Sequence, residues 1–193
     1  MEDTMKKQCS LLAGAVAATL MALPASASAA SNNYVSGAIG LSWLNNFHYD
    51  SFLERPGTGV MLLAAYGVNH KDYRIEGELG YQGSDIDNDT GSVSVSSILG
   101  NGYYNFKAQG FTPYVTAGAG VADVRFHEIG GLATTHNTAL AYQIGAGAEF
   151  PLGGSTKLDA RYRFFSTLDF TTNPGFNTHI ASHSLSLGLK VDL

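Results

Sequence analysis

Tyr73-Arg74-Ile75-Glu76-Gly77-Glu78-Leu79-Gly80-Tyr81-Gln82 alternates without a break. Tyr73, Ile75, Gly77, Leu79 and Tyr81 fall on one face, and Arg74, Glu76, Glu78, Gly80 and Gln82 fall on the other. Period two with unlike faces is the signature of a β-strand that separates two environments. The stretch 157–164 repeats it, with Leu158, Ala160, Tyr162 and Phe164 against Lys157, Asp159, Arg161 and Arg163. The chain closes on the cleanest case, Leu185, Leu187, Leu189, Val191 and Leu193 against Ser184, Ser186, Gly188, Lys190 and Asp192.

Working outward, 34–43 places Val35, Gly37, Ile39, Leu41 and Trp43 opposite Tyr34, Ser36, Ala38, Gly40 and Ser42. In 111–121 the apolar face is Phe111, Pro113, Val115, Ala117, Ala119 and Val121, and in 140–150 it includes Leu140, Tyr142, Ile144 and Phe150. Strands over 58–68 and 93–106 complete a set of eight. The phase of 93–106 is mixed. Val93, Val95 and Leu99 agree with one another but not with Ile98 and Tyr104, which predicts a β-bulge near Ser96 or Ser97. Connections of alternating length join the strands. Those at 69–72, 107–110 and 151–156 are short, and those at about 44–57, 83–92, 127–138 and 166–182 are long. Strict alternation of this kind belongs to a membrane barrel with short periplasmic turns and longer outer loops.

Composition narrows the classes. Charged residues are 14% of the 193-residue chain, against about 25% in an ordinary soluble domain. Residues 31–193 hold nine Lys or Arg and fourteen Asp or Glu, a balance that repels phosphates and excludes a basic nucleic-acid binder. The only long apolar run is N-terminal, so a helical membrane protein is excluded. Lys6 and Lys7, the run from Leu11 to Leu23, and Ala27-Ser28-Ala29 form the three parts of a secretory signal. Residues 1–30 are therefore expected to be removed, leaving 31–193 as one domain. Met5, directly before the two lysines, is an alternative start. Cys9, the single cysteine, would leave with the signal, so no disulfide or cysteine metal site is expected.

A soluble barrel would turn its apolar set inward and carry charges of both signs on nearly every outer face. Here the second set is Gly, Ser, Ala, Thr and Gln with clustered charges, which suits the tight interior of an eight-stranded barrel. Magnitude fixes the phase. A lipid-facing Arg near the midplane costs roughly 2–4 kcal/mol, and turning over 157–164 would place Arg161 and Arg163 there together. The expected fold is thus an all-β, eight-stranded antiparallel transmembrane barrel. It must be closed, because each unpaired backbone group in hydrocarbon costs several kcal/mol. Aromatic residues near strand ends predict two interfacial girdles, Trp43, Tyr81, Phe126 and Phe164 toward the long loops and Tyr66, Tyr73, Phe111 and Phe150 toward the short turns.

Four stretches carry a family likeness. They are Leu99-Gly-Asn-Gly-Tyr-Tyr-Asn-Phe106, Phe111-Thr-Pro-Tyr-Val-Thr-Ala-Gly-Ala-Gly-Val121, Ala141-Tyr-Gln-Ile-Gly-Ala-Gly-Ala-Glu-Phe150 and Leu158-Asp-Ala-Arg-Tyr-Arg-Phe164. Together they resemble the Gram-negative outer-membrane β-barrel domain family, which groups opacity-type surface proteins, surface antigens and barrels similar to the outer membrane protein A transmembrane domain. The resemblance implies residence in the bacterial outer membrane among lipids and lipopolysaccharide, and insertion by the outer-membrane assembly machinery, which reads the last strand. Family members usually end in Phe, where this chain has Leu193.

The inward charges are Arg74, Glu76, Glu78, Glu149, Asp159, Arg161, Arg163 and Lys190. Their first reading is a structural network filling the lumen, since buried charges persist only when paired. The second is a gated path for small solutes or ions. In the loops, Phe47, Tyr49 and Phe52, with Phe170 and Phe176, are candidate contacts for a host or cell-surface ligand, because aromatics on loops are natural anchors. Asp85-Ile-Asp-Asn-Asp-Thr-Gly91 has the alternate acids of a calcium loop, but its Gly is one place late and Ser96 stands where Glu belongs. His48, His127, His136 and His179 lie in long loops and His183 at the edge of the last strand, with no ligand spacing, so no metal and no cofactor are expected. His48-Tyr49-Asp50-Ser51 and Ser182-His183-Ser184 lack the His-x-Ser-Asn signature of the lipid A deacylases. Catalysis is accordingly not expected. The predicted role is a surface interaction protein working through its outer loops, with a narrow channel as the alternative.

Overall fold

The computed structural model describes residues 32–45, 47–49, 52–54, 57–85, 92–127, 135–172 and 176–193. The segment read as an export signal lies outside them, as do 86–91 of the acidic loop. Eight long strands form the barrel. They are β1 (Asn33–Leu44), β2 (Thr58–His70), β3 (Tyr73–Asp85), β4 (Ser92–Asn105), β5 (Thr112–His127), β6 (Thr135–Gly153), β7 (Thr156–Thr167) and β8 (Ala181–Asp192). Each is antiparallel to its neighbours in sequence, and β8 pairs with β1 from Tyr34↔Asp192 to Leu44↔Ser182, closing the sheet. The closed, all-β, eight-stranded barrel is the architecture the alternation predicts, and closure leaves no open edge for lipid to meet.

The short turns sit at the end of the barrel where Leu193 N donates to Asn33 O at 2.9 Å. Lys71 takes a positive φ of 54° between β2 and β3, a conformation that a glycine would adopt without steric cost. Gly154, at φ 57°, fills the equivalent need between β7 and its predecessor β6. At the other end two of the long loops contain small hairpins. Phe47–Tyr49 pairs with Phe52–Glu54, and Phe170–Thr172 pairs with Phe176–Thr178. The strand Phe47–Tyr49 lies beside Phe176–Thr178, so the first and fourth loops meet.

The expected bulge near Ser96 or Ser97 is absent. β4 keeps an unbroken register with β3 from Tyr73↔Tyr104 to Asp85↔Ser92, and with β5 from Ser92↔His127 to Asn105↔Tyr114. The only register shift between β6 and β7 lies at Pro151/Gly153. What changes along β4 is its surroundings. Ile98, Gly100, Gly102 and Tyr104 face outward, as a lipid-exposed strand requires, while Ser94 and Ser96 continue the same outward face. Inward, Asn101 gives way to Leu99, Val95 and Val93. The neighbouring strands change at the same height, where Asp123, Arg125 and Thr138 replace the apolar residues of the outer face.

The strand has therefore left the membrane and entered water, and its polarity inverts without a slip in geometry. A residue in a tilted barrel strand rises about 2.5 Å along the axis, so Ser92–Ser97 span roughly 15 Å from the edge of the apolar band upward. Inside this collar Leu44, Val93, Val95, Leu99, Ala122, Val124, Ala139, Ala141, Phe165 and Ile180 form a buried apolar cluster. The sequence reading expected small and polar inward residues throughout. That holds in the membrane-embedded part and fails in the collar, where the burial gain favours an apolar core, as in a soluble barrel.

Candidate functional site

Below the apolar cluster the lumen is ionic, and all eight charges singled out from the sequence are buried there. Alternation places them. Arg74, Glu76 and Glu78 are successive inward positions of β3, Asp159, Arg161 and Arg163 are those of β7, and Glu149 and Lys190 come from β6 and β8. Their long side chains meet across the barrel axis.

Three tyrosines organise the lower layer. Tyr34 and Tyr103 donate from their hydroxyls to the Glu76 carboxylate at 2.8 and 2.6 Å, and Asn101 Nδ2 adds a longer bond of 3.4 Å. Tyr114 donates to Asp159 at 2.6 Å. The Arg74 guanidinium lies over the Tyr103 and Tyr114 rings, 4.0 and 4.5 Å from their centroids, and pairs with Glu149. Lys190 reaches the same carboxylate at 3.0 Å and lies over the Tyr34 ring. Room for these rings comes from glycine. A Cβ on Gly67 would collide with the Tyr34 ring, and one on Gly147 with the Tyr114 hydroxyl.

The middle layer turns on Glu78. Arg161 donates to it from Nη1 at 3.0 Å, to Asp159 from Nη2 at 3.0 Å, and to the Tyr114 oxygen from Nε at 3.1 Å. Gln143 Nε2 donates to Glu78 at 3.3 Å and to Asn101 Oδ1 at 2.6 Å. Arg163 is less well served. Its Nη2 is 3.7 Å from Glu78, its Nη1 donates to the Met61 sulfur, and its guanidinium rests 4.9 Å from the Phe165 ring centroid. Nε and Nη2 of Arg163 have no hydrogen-bond partner among the described residues. Above it Ser42 and Ser182 both donate to Gln82 Oε1, at 2.9 and 3.0 Å. At the short-turn rim Lys157 and Asp192 pair at 2.7 Å.

Two positive and two negative residues of the eight come from the lower layer's Arg74, Lys190, Glu76 and Glu149. The middle layer's Arg161, Arg163, Glu78 and Asp159 repeat that balance. The lumen is thus charge-neutral layer by layer, and its ions are mutually engaged.

The loop residues are placed by backbone. Phe47, Tyr49 and Phe52 lie on the hairpin of the first loop, with Tyr49 opposite Phe52, and Phe170 and Phe176 lie on that of the fourth. The side chains of these five, and those of Phe126, His48, His127 and His136, are outside the described part. His179 Nδ1 stands 3.4 Å from Asp169 at the exposed surface. His183 faces outward, whereas Ser182 and Ser184 are buried on the inner face. The barrel wall therefore separates this histidine from both adjacent serines. Sequence reading missed the outward pair that His183 does make: its Nδ1 is 2.6 Å from the Tyr162 hydroxyl.

An apolar outer belt, an ionic interior and a closed antiparallel sheet together define a membrane-spanning barrel. The comparisons with known proteins place it. The family model for the outer membrane protein beta-barrel domain matches residues 13–191, and the chain belongs to that family. It is a bacterial outer-membrane protein, set among outer-membrane lipids. Among solved structures, Neisserial surface protein A is similar at 18% identity, covering 86% of this chain and 100% of that one with a TM-score of 0.65. Ail, the attachment invasion locus protein of Yersinia pestis, is similar at 18% identity over 82% of this chain and 99% of that one, with a TM-score of 0.47. The outer membrane enzyme PagL is similar at 20% identity over 83% and 99%, with a TM-score of 0.46. Likeness at these identities is one of fold. Among curated protein sequences none matches the chain.

Proposed function

We propose that the protein is a surface interaction protein that acts through its outer loops, without turnover and without conducting solutes. The observation that carries this reading is the lumen: a neutral, interlocked ionic network capped by the apolar cluster of the collar. A permeating ion would have to break pairs whose partners are buried, then pass the level where Leu44, Val93, Val95, Val124, Phe165 and Ile180 pack together. Removing one member of a buried pair costs about 3–5 kcal/mol. In this reading the eight charges are a structural pillar. Work then falls to the loops, and the paired hairpins that carry Phe47, Tyr49, Phe52, Phe170 and Phe176 form the contact tip for a cell-surface ligand.

Against catalysis, the barrel wall divides Ser182 and Ser184 from His183, so the one described Ser-His-Ser run offers no nucleophile–base pair. Residues 1–30 serve in this reading as the export signal, and the outer-membrane assembly machinery reads β8.

Two measurements test the proposal. Planar-bilayer recording of the purified barrel should show no discrete conductance steps. Bacteria expressing a variant with 46–56 and 173–178 replaced by short turns should lose adhesion to host-cell layers at least tenfold, while the protein keeps its heat-modifiable gel migration. Discrete steps, or undiminished adhesion by the shortened barrel, would remove the proposal.

A further inference from the structure

The lipid-facing wall made by β2, β1, β8 and β7 is not smooth. Its registers set three outward rows. The row nearest the long loops is Thr58–Trp43–His183–Phe164, the next is Val60–Leu41–Leu185–Tyr162, and the third is Leu62–Ile39–Leu187–Ala160. Ala160 offers one methyl where its row neighbours are leucine and isoleucine. The wall dips here into a groove of about 580 Å³, lined by Ile39, Leu41, Leu185, Leu187, Ala160 and Tyr162 among others. That volume falls within the ~300–1,000 Å³ of small-molecule sites, and an almost wholly apolar lining suits an acyl chain.

A polar pair stands at the head of the groove. Tyr162, which lines it, holds His183 Nδ1 at 2.6 Å, and the imidazole packs beside Phe164 at 5.1 Å between ring centroids. Trp43 is its register partner on the other side, at the depth where tryptophan marks the edge of the hydrocarbon. Whichever ring nitrogen carries the hydrogen, Nδ1 is taken by Tyr162, and no described residue bonds Nε2. Nε2 therefore faces the membrane boundary, where lipid oxygens stand beside water as its available acceptors. Lipids at this depth present oxygens, which are acceptors. They select the form with Tyr162 donating to Nδ1 and the hydrogen on Nε2.

We propose that this wall binds one lipid of the outer leaflet, with an acyl chain in the groove and a lipid oxygen accepting from His183 Nε2. The acceptor is either a phosphate oxygen or an acyl-linkage carbonyl, both of which offer the same chemistry to the imidazole. This goes beyond the loop function above and does not depend on it.

Native mass spectrometry of the processed full-length barrel in detergent tests the proposal, with phosphatidate and diacylglycerol of matched chains as probes. Wild type should retain one lipid per chain. His183→Phe keeps the ring packing but removes the donor, and should weaken retention about tenfold. Ala160→Phe fills the groove and should weaken it for both probes. Ile98→Phe, on the opposite wall, should change nothing. Tyr162→Phe is the companion variant should His183→Phe fail to fold, and it should also weaken retention, because Nδ1 loses its partner. Retention of phosphatidate alone assigns the phosphate as acceptor, and equal retention of both assigns the carbonyl. A wild type that retains neither probe, or several lipids in a statistical spread that the His183, Tyr162 and Ala160 variants leave unaltered, overturns the proposal.

Discussion

Glu78 is the residue on which the lumen's middle layer depends, and replacing it by glutamine is the sharpest perturbation of the network. Its carboxylate is 1% exposed and takes Arg161 at 3.0 Å, Arg163 at 3.7 Å and Gln143 at 3.3 Å. Glu78→Gln keeps the shape and removes the charge. Arg161 retains Asp159, but Arg163 is left without an anion in reach among the described residues. The penalty for such a stranded buried charge is about 3–5 kcal/mol. Arg163→Met tests the other partner. Its neighbours Met61 and Phe165 are apolar, and Glu78 keeps Arg161, so this variant should lie within about 1 kcal/mol of wild type. The double variant removes both the charge and the cation that needed it, and should recover about 1–3 kcal/mol as a coupling.

Urea unfolding in lipid vesicles, followed by the fluorescence of Trp43, the chain's single tryptophan, measures all four proteins. The reasoning fails if Glu78→Gln stays within about 1 kcal/mol of wild type, or if the coupling is zero. It also fails if Arg163→Met proves costlier than Arg161→Met. Arg161 bonds two carboxylates and a phenol, and its loss should be the more damaging.

The inversion of polarity along β4 and β5 predicts a depth profile. Ala119→Arg, outward in the lipid belt, should destabilise by roughly 2–4 kcal/mol, whereas Ser94→Arg, outward in the collar, should be close to neutral; equal costs in the same unfolding assay would place the membrane boundary elsewhere. Val124→Ser, fully buried in the collar, should cost about 2 kcal/mol or more, since it exchanges an apolar contact for an unpaired hydroxyl. At the turn between β2 and β3, Lys71→Gly should stabilise by about 1 kcal/mol by relieving the positive φ, and a loss of stability would count against that turn geometry.

Strands whose inward face carries charge were legible from the chain alone. Arg74, Glu76 and Glu78, or Arg161 and Arg163, can face only one way if the other face meets lipid, so their phase followed from transfer cost, while the count of eight came from the repeated alternation. β4 was not legible in the same way. Its inward residues change from Tyr103 and Asn101 to Val95 and Val93 while its outward residues change from Tyr104 and Ile98 to Ser96 and Ser94. Periodicity read with one fixed polarity takes such a reversal for a slip, and hence for a bulge. The pairings within the lumen were also beyond the sequence, because Arg161 and Glu78 are 83 positions apart and meet only across a closed cylinder. His183 was hidden by its neighbours. Ser182 and Ser184 make the segment look like a polar loop edge, and only the strand's alternation sends the serines inward and the imidazole out.

The barrel's two sides differ in height, and this orders the candidate sites. β4, β5 and β6 run for 14, 16 and 19 residues. β1, β7 and β8 run for 12 each and carry the two loops with hairpins. The tall side supplies seven of the ten residues of the apolar cluster that closes the lumen, and Leu44, Phe165 and Ile180 complete it from the low side. The low side keeps its strand ends near the lipid surface, with Trp43, His183 and Phe164 as their last outward residues. The first and fourth loops therefore join strands of the same half of the barrel as the proposed lipid groove. A ligand held by the loop hairpins would approach over that wall, and a lipid ordered by His183 would form part of the surface it meets. If so, His183→Phe should weaken adhesion by intact cells more than it weakens binding of the same ligand to detergent-solubilised protein. Equal effects in the two settings would separate the lipid site from the loops.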